Sequence, residues 1–175
     1  MIGETLFSAA DIEEALARLG RELAADYAGR SPILVTVLRG GFIFLADLMR
    51  AVPLPLAVDF LAVSAYGPEV GDLGTVRVLK DLQEPITGRD VIVVEDIIDT
   101  GLTLNYLLGF LRSRRPTSLT VCALLDRSVR RIVDIDIKYK GFEIPDVFVV
   151  GYGLDHRQRF RELPYIASIE GESDG

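Results

Sequence analysis

Three acids and two threonines crowd into nine residues, Glu95-Asp96-Ile97-Ile98-Asp99-Thr100-Gly101-Leu102-Thr103. Carboxylates at this density can take up protons, accept hydrogen bonds from hydroxyls or hold a divalent cation. Hydroxyls flanking a glycine at a chain turn suit a different guest, an anion. The neighbouring residues say how the two are combined. Val91 to Val94 is an unbroken apolar β-branched run, the pattern of a strand buried on both faces in a parallel sheet. Leu104, Leu107, Leu108 and Leu111 then mark a helical stripe. The order strand, acidic corner, Gly turn, helix N-terminus sets the corner at the carboxyl end of a strand, where open α/β folds bind ligands. Amides of Thr100 to Thr103, with the two threonine hydroxyls, would face a phosphate above the helix start. Glu95 and Asp96 would repel that phosphate, and suit vicinal hydroxyls or a divalent cation instead. A phosphate beside a diol describes a ribose 5-phosphate, with Asp99 left near the anomeric side to take a proton. The alternative is an ordinary strand and turn with solvated acids. Three acids, Thr-Gly-x-Thr and a strand–helix switch in one place weigh against it.

The elements that must hold this corner can be read along the chain. Ser8 and Asp11 form a capping box ahead of Ile12, Leu16, Leu19 and Leu23, an amphipathic helix. Ile33 to Leu38 is a short apolar strand ending in Arg39-Gly40-Gly41, and a second helix through Phe42, Leu45 and Leu48-Met49 stops before Pro53. Strands are predicted over Val58 to Val63 and Val76 to Leu82, around a Gly-rich loop from Tyr66 to Thr75. Further strands are predicted over Leu119 to Leu125, Ile144 to Gly153 and Tyr165 to Ile169, with a polar tail from Glu170 to Gly175. Strands alternating with helices predict an α/β fold with a mostly parallel central sheet flanked by helices.

The chain has 175 residues, 49% hydrophobic and 26% charged, which is ample for one folded domain over 1–175. A net charge of −7 excludes a mainly electrostatic nucleic-acid binder while allowing a local basic pocket. Cys122 is the only cysteine, so no internal disulfide forms; it falls in an apolar run and reads as a buried thiol. With His156 the only histidine, a histidine metal site is ruled out. No apolar run reaches membrane-spanning length, and Met1-Ile2-Gly3-Glu4 lacks a basic signal region. A cytoplasmic location is expected, with neither membrane nor nucleic acid as a partner.

The Glu95-to-Gly101 stretch resembles the phosphoribosyl-pyrophosphate (PRPP) signature of type I phosphoribosyltransferases, in the form found on their hypoxanthine-guanine branch. The resemblance extends through Leu38-Arg39-Gly40-Gly41, Ser64-Ala65-Tyr66-Gly67 and Gly141-Phe142-Glu143-Ile144-Pro145-Asp146-Val147-Phe148-Val149-Val150-Gly151-Tyr152. It implies a small hood beside the sheet, a flexible lid hairpin over about 66–75, and a homodimer or homotetramer. It implies purine salvage, with Mg²⁺-dependent transfer of the phosphoribosyl group of PRPP to hypoxanthine or guanine, giving IMP or GMP and pyrophosphate. Glu95, Asp96, Asp99, Thr100, Gly101, Leu102 and Thr103 then bind PRPP, with Asp99 catalytic at the purine N7 proton. Arg39, Gly40, Arg131 and Arg161 are the implied pyrophosphate contacts, and the Leu38–Arg39 peptide is implied to be cis. Arg127 stands where the family has a lysine donating to the purine 6-oxo group. Phe148 is implied to stack on the base and Val149 to read its edge through the backbone. Asp155 lies near the exocyclic amine and the metal, whose implied ligands are Glu95, Asp96 and Asp155. Ala65 and Tyr66 occupy the place of a Ser-Tyr pair in the lid, with Ser64 just ahead of them.

Several of these residues have simpler readings on their own. Arg39-Gly40-Gly41 could be a Gly-rich turn with a solvated Arg, residues 66–75 a surface hairpin, Asp126–Arg127 a surface ion pair and Phe148 a core aromatic. A regulator on the same fold, such as the pyrimidine-operon RNA attenuation protein, is the rival from another class. A xanthine-preferring relative is the enzymatic rival. Glu95-Asp96 and Phe148 to Tyr152 look like the purine enzyme, and the net charge weighs against RNA.

Overall fold

A computed structural model describes residues 1–65 and 76–169. The expected lid over 66–75, including Tyr66, and the tail over 170–175 lie outside the described residues. In chain order the elements are β1 (Ile2–Phe7), α1 (Ala9–Asp26), β2 (Ile33–Leu38), α2 (Phe42–Ala51), β3 (Ala57–Ala65), β4 (Val76–Lys80) and β5 (Asp90–Ile98). They continue with α3 (Leu102–Arg112), β6 (Ser118–Asp126), a 3₁₀ turn (Ser128–Arg130), β7 (Tyr139–Glu143), β8 (Val149–Val150) and β9 (Ile166–Ile169).

Ser8 opens α1 as its spacing predicts, its hydroxyl accepting from the Asp11 amide while the Asp11 carboxylate accepts from the Ser8 amide. Six strands form the central sheet in the order β4-β3-β2-β5-β6-β7. Every pairing in it is parallel except β3 with β4. Side chains alternate across β5, and this assigns the helices to faces. Ile92 and Val94 join a core with α1 and α2 through Leu16, Leu19, Phe44 and Leu48. Val91 and Val93 join the opposite core with α3 through Leu104, Leu107 and Leu111. Cys122 is fully buried in the first of these cores, and burial pushes its thiol pKa up, so it is an inert packing residue.

A second sheet, β1-β9-β8, is antiparallel and forms the hood. Here the structure corrects the reading along the chain. The strand expected over Ile144 to Gly153 contracts to Val149–Val150, because Pro145 turns the chain (its carbonyl accepts from Val147 N at 2.9 Å) and Gly151 leaves at φ +98°. The central sheet is instead extended by β7, whose Tyr139-Lys140-Gly141 carries no clear apolar period. β1 was not anticipated either, since its register with β9 shifts twice over six residues and blurs any alternation.

Candidate active site

β2 and β5 lie side by side at the centre of the sheet. The chain leaves β2 for α2 on one face and β5 for α3 on the other, so a crevice opens between their carboxyl ends. Arg39-Gly40-Gly41 and the acidic corner form its two lips. The Leu38–Arg39 peptide is cis. Gly40 lies hard against Asp96: a Cβ at position 40 would sit 1.8 Å from Asp96 Oδ2, so a larger residue there would push the Asp96 carboxylate aside. Across the crevice Gly101 takes φ +83° as the N-cap of α3, and its carbonyl accepts from Asn105 N at 2.8 Å.

Alternation along β5 separates the two adjacent acids that the sequence places together. Glu95 turns to the α3 side, where a cavity of about 200 Å³ is lined by Glu95, Asp99, Thr100, Gly101 and Thr103. Asp96 turns to the other side, into a cavity of about 320 Å³ with Gly40, Arg127, Phe148, Asp155 and Arg161. Asp99 lines both. Burial, then the neighbouring Asp96, raises the Glu95 pKa well above the usual carboxylate range. Burial also raises that of Asp96, partly opposed by the Ile97 amide that donates to its Oδ1 at 2.8 Å. Both sites are therefore primed for hydroxyl donors or a cation, which would favour the charged forms.

The Asp96 side of the crevice is a knot of charge. Arg127 is buried, 4% exposed, with Nη1 3.7 Å from Asp99 Oδ2 and 3.9 Å from Asp146 Oδ1. Arg130 approaches the same two acids, Nη1 3.6 Å from Asp99 Oδ2 and Nε 3.6 Å from Asp146 Oδ1. Asp126 and Arg127 are both buried, so the expected surface pair is not a surface feature. Asp126 pairs with Arg131 and with Lys140, the latter at 2.5 Å. Arg131, expected at the pyrophosphate, is not among the described residues lining either cavity. It runs beneath the corner, Nε donating to the Asp99 carbonyl at 2.9 Å and Nη2 pairing with Asp126, and so supports the loop from below. The 3₁₀ turn explains the exchange: it sends Arg130 into the cavity and Arg131 under it. Arg130 and Asp146 are the residues that spacing alone did not single out. Phe148 is half-buried on the cavity wall, edge-on to His156 with ring centroids 5.7 Å apart, and Val149 lies beside it.

On the far wall Arg161 Nη2 is 2.6 Å from Asp155 Oδ1, and its Nη1 donates to the Gly153 carbonyl at 2.6 Å. Gln158 Oε1 accepts from Arg39 at 2.9 Å and from Arg161 at 3.4 Å, joining the two arginines expected to meet pyrophosphate. Among the described residues no three acid, imidazole or thiol side chains converge on a metal position. The three-carboxylate site expected of Glu95, Asp96 and Asp155 is thus not formed, because β5 sends Glu95 away from the other two. Among the described residues no helix is long and apolar enough to cross a membrane.

Comparison with known proteins places the chain among phosphoribosyltransferases. The family described as phosphoribosyl transferase domain matches residues 3–157. A hypoxanthine-guanine phosphoribosyltransferase from Mycobacterium avium is 47% identical over 97% of this chain and 86% of its own length. A hypoxanthine phosphoribosyltransferase from Salmonella typhimurium is 46% identical over 95% and 94%. A crystal structure of a hypoxanthine-guanine phosphoribosyltransferase from Bacillus anthracis superposes with a TM-score of 0.93 at 43% identity, covering 97% of this chain and 99% of that one. Matched over residues 3–157 and 47% and 46% identical to relatives over nearly its whole length, the chain belongs to the phosphoribosyl transferase family.

Proposed function

We propose that this protein is a purine salvage enzyme, a pentosyltransferase that moves the 5-phosphoribosyl group of PRPP to hypoxanthine or guanine, releasing pyrophosphate and IMP or GMP. The observation that carries this reading is the position of Asp99, shared by the cavity at the start of α3 and the cavity lined by Arg127 and Phe148. A sugar phosphate in the first and a base in the second would meet at that carboxylate.

In this reading the first turn of α3, with Thr100, Gly101, Leu102 and Thr103, receives the 5-phosphate. Glu95 and Asp96 accept from the ribose hydroxyls. Arg39, Gly40 and Arg161 hold the leaving pyrophosphate. The base lies against Phe148, with Val149 at its edge and Arg127 donating to the 6-oxo group. Asp99 accepts the N7 proton as the purine attacks an oxocarbenium-like centre, and its carboxylate offsets the positive charge there. Asp96 and Asp155 share one cavity, which fits a Mg²⁺ ion drawing one or two carboxylates from the protein and its other ligands from substrate phosphates and water. When bound, Mg²⁺ supplies charge neutralisation for the departing diphosphate. The whole chain acts as one catalytic domain, cytoplasmic and assembled as a homodimer or homotetramer.

The test is a spectrophotometric assay of PRPP and Mg²⁺ with hypoxanthine, guanine or xanthine in turn. Nucleotide formation with the first two supports the reading, and preference for xanthine would reassign the base. Silence with all three would overturn it.

A further inference from the structure

The two walls of the larger cavity come from chain segments more than a hundred residues apart, and one part-buried side-chain contact joins them behind the site. The Tyr152 hydroxyl donates to Asp47 Oδ2 at 2.5 Å, across 105 residues of sequence. Asp47 lies in α2, the helix that begins directly after the Arg39-Gly40-Gly41 lip. Tyr152 lies at the root of the segment carrying Asp155 and Arg161. Its backbone is unusual: φ is +51°, a region a bulky side chain rarely occupies, between Gly151 at +98° and Gly153 at +99°. Something must hold it there. The ring is 7% exposed and packs in the core shared with α1 and α2, and Tyr152 N donates to the Leu163 carbonyl at 2.8 Å.

The consequence is felt at the lip. A Cβ on Gly153 would lie 2.3 Å from the Gly40 carbonyl, so the two walls touch backbone to backbone. The Gly153 carbonyl takes the Arg161 guanidinium at 2.6 Å, and Gly153 N donates back to the Arg161 carbonyl at 3.0 Å. A shift of Tyr152 therefore moves Gly153, Arg161 and, through the ion pair, Asp155 relative to Gly40 and Asp96.

We propose that Asp47 is a positioning residue for the transfer reaction: by holding the Tyr152 hydroxyl it sets the separation of the two walls that grip the pyrophosphate end of PRPP. The proposal rests on the function proposed above. Because the walls would grip substrate and transition state alike, loosening them raises KM for PRPP more than it lowers kcat. The test compares Tyr152→Phe, Asp47→Ala, Asp47→Asn and the double variant Asp47→Ala/Tyr152→Phe, with Arg50→Ala as control because Arg50 pairs with Asp47 from the solvent side. Tyr152→Phe and Asp47→Ala should each raise KM for PRPP about tenfold, within the range seen for ångström-scale misplacement of binding groups. The double variant should be no worse than either single one. Asp47→Asn keeps an acceptor oxygen for the hydroxyl and should stay near wild type, as should Arg50→Ala. A purely structural role would lower the active fraction, so that apparent kcat fell with KM unchanged. That pattern, or unchanged kinetics in Tyr152→Phe, overturns the proposal. A wild type inactive with every base overturns the functional reading itself, and the proposal with it.

Discussion

Asp99 lines both cavities, and its surroundings say what its loss should do to the proposed transfer. Its Oδ2 has two guanidinium groups 3.6 and 3.7 Å away, while Oδ1 is buried without a hydrogen-bond partner among the described residues. An acceptor held ready in this way is what proton transfer from N7 needs. Asp99→Asn keeps the shape and removes the basicity, so kcat should fall by ~10²–10⁴-fold with KM little altered. Steady-state kinetics on both substrates check this, and near wild-type turnover would remove Asp99 from the chemistry. Arg127 is the second test at this scale. A base with an amino group at position 6 would set donor against donor, so adenine should be rejected by a discrimination of about 1–3 kcal/mol or more. Arg127→Lys keeps a cation and should retain substantial activity with hypoxanthine. Arg127→Ala should raise the hypoxanthine KM strongly and lower kcat, because Asp99 loses a neighbour, while the PRPP KM changes little. Equal kcat/KM for hypoxanthine in wild type and both variants would contradict a role at the base. The position of Asp99 at the corner between β5 and α3 was legible from the sequence because strand, acids and glycine lie within one short run. The partners of Arg127 were not, since adjacency in sequence pointed to Asp126 whereas its neighbours Asp99 and Asp146 come from other turns of the fold.

Asp59 shows how a buried charge holds one element to another. It is 4% exposed in β3, and its Oδ2 accepts from the amides of Gln83 and Glu84 at 2.7 and 3.0 Å, pinning the segment after β4 to the sheet. Lys80 adds a charge 3.6 Å away. Burial pushes the Asp59 pKa up, but the amides of Glu84, Phe60 and Gln83, with Lys80, outweigh it and hold the group below its usual value. A depressed folded-state pKa means the unfolded chain binds the proton first as pH falls. The stabilisation is therefore complete above the unfolded-state value and is lost as pH falls through the folded one. Asp59→Asn should lower stability at neutral pH by about 2–3 kcal/mol, a buried charged acceptor being replaced by a neutral one. The difference from wild type should shrink as the pH falls below about 4, near the ordinary Asp pKa. Denaturant melts at pH 7 and pH 3.5 measure it, and a gap that does not narrow would show that the carboxylate charge is not what holds the segment. At this scale the central sheet was legible, because β2, β5 and β6 are apolar runs buried on both faces and α1 carries its own cap. Of the hood only β9 was: β8 has two residues and β1 pairs with shifted register, so neither leaves a period long enough to read.

The molecule as a whole divides its labour between two sheets. The central sheet supplies both lips of the crevice and the start of α3, whereas the wall at Phe148 and Val149 hangs from the hood. Val149 pairs with Ser168 and Val150 with Ala167 of β9, and Ile169 N donates to the Phe148 carbonyl at 3.1 Å. β9 in turn is held by β1, with Phe7 opposite Ile166, and by the Ile166 side chain, which is fully buried in the α1–α2 core. The wall against which the base would lie thus depends on a strand brought back from the far end of the chain, and its position is only as firm as that strand's packing. Ile166→Ala removes buried methyls without touching the crevice, at a cost of about 2–5 kcal/mol. In a chain of 175 residues that corresponds to a fall in Tm of roughly 5–15 °C. If the two sheets serve different halves of the reaction, the loss will be unequal. At a temperature where the variant stays folded, KM for hypoxanthine should rise several-fold while KM for PRPP stays within about twofold, since the β5–α3 cradle is not disturbed. Equal increases in both constants would mean that hood and sheet respond as one unit, and unchanged constants would mean that the hood's packing does not set the position of Phe148.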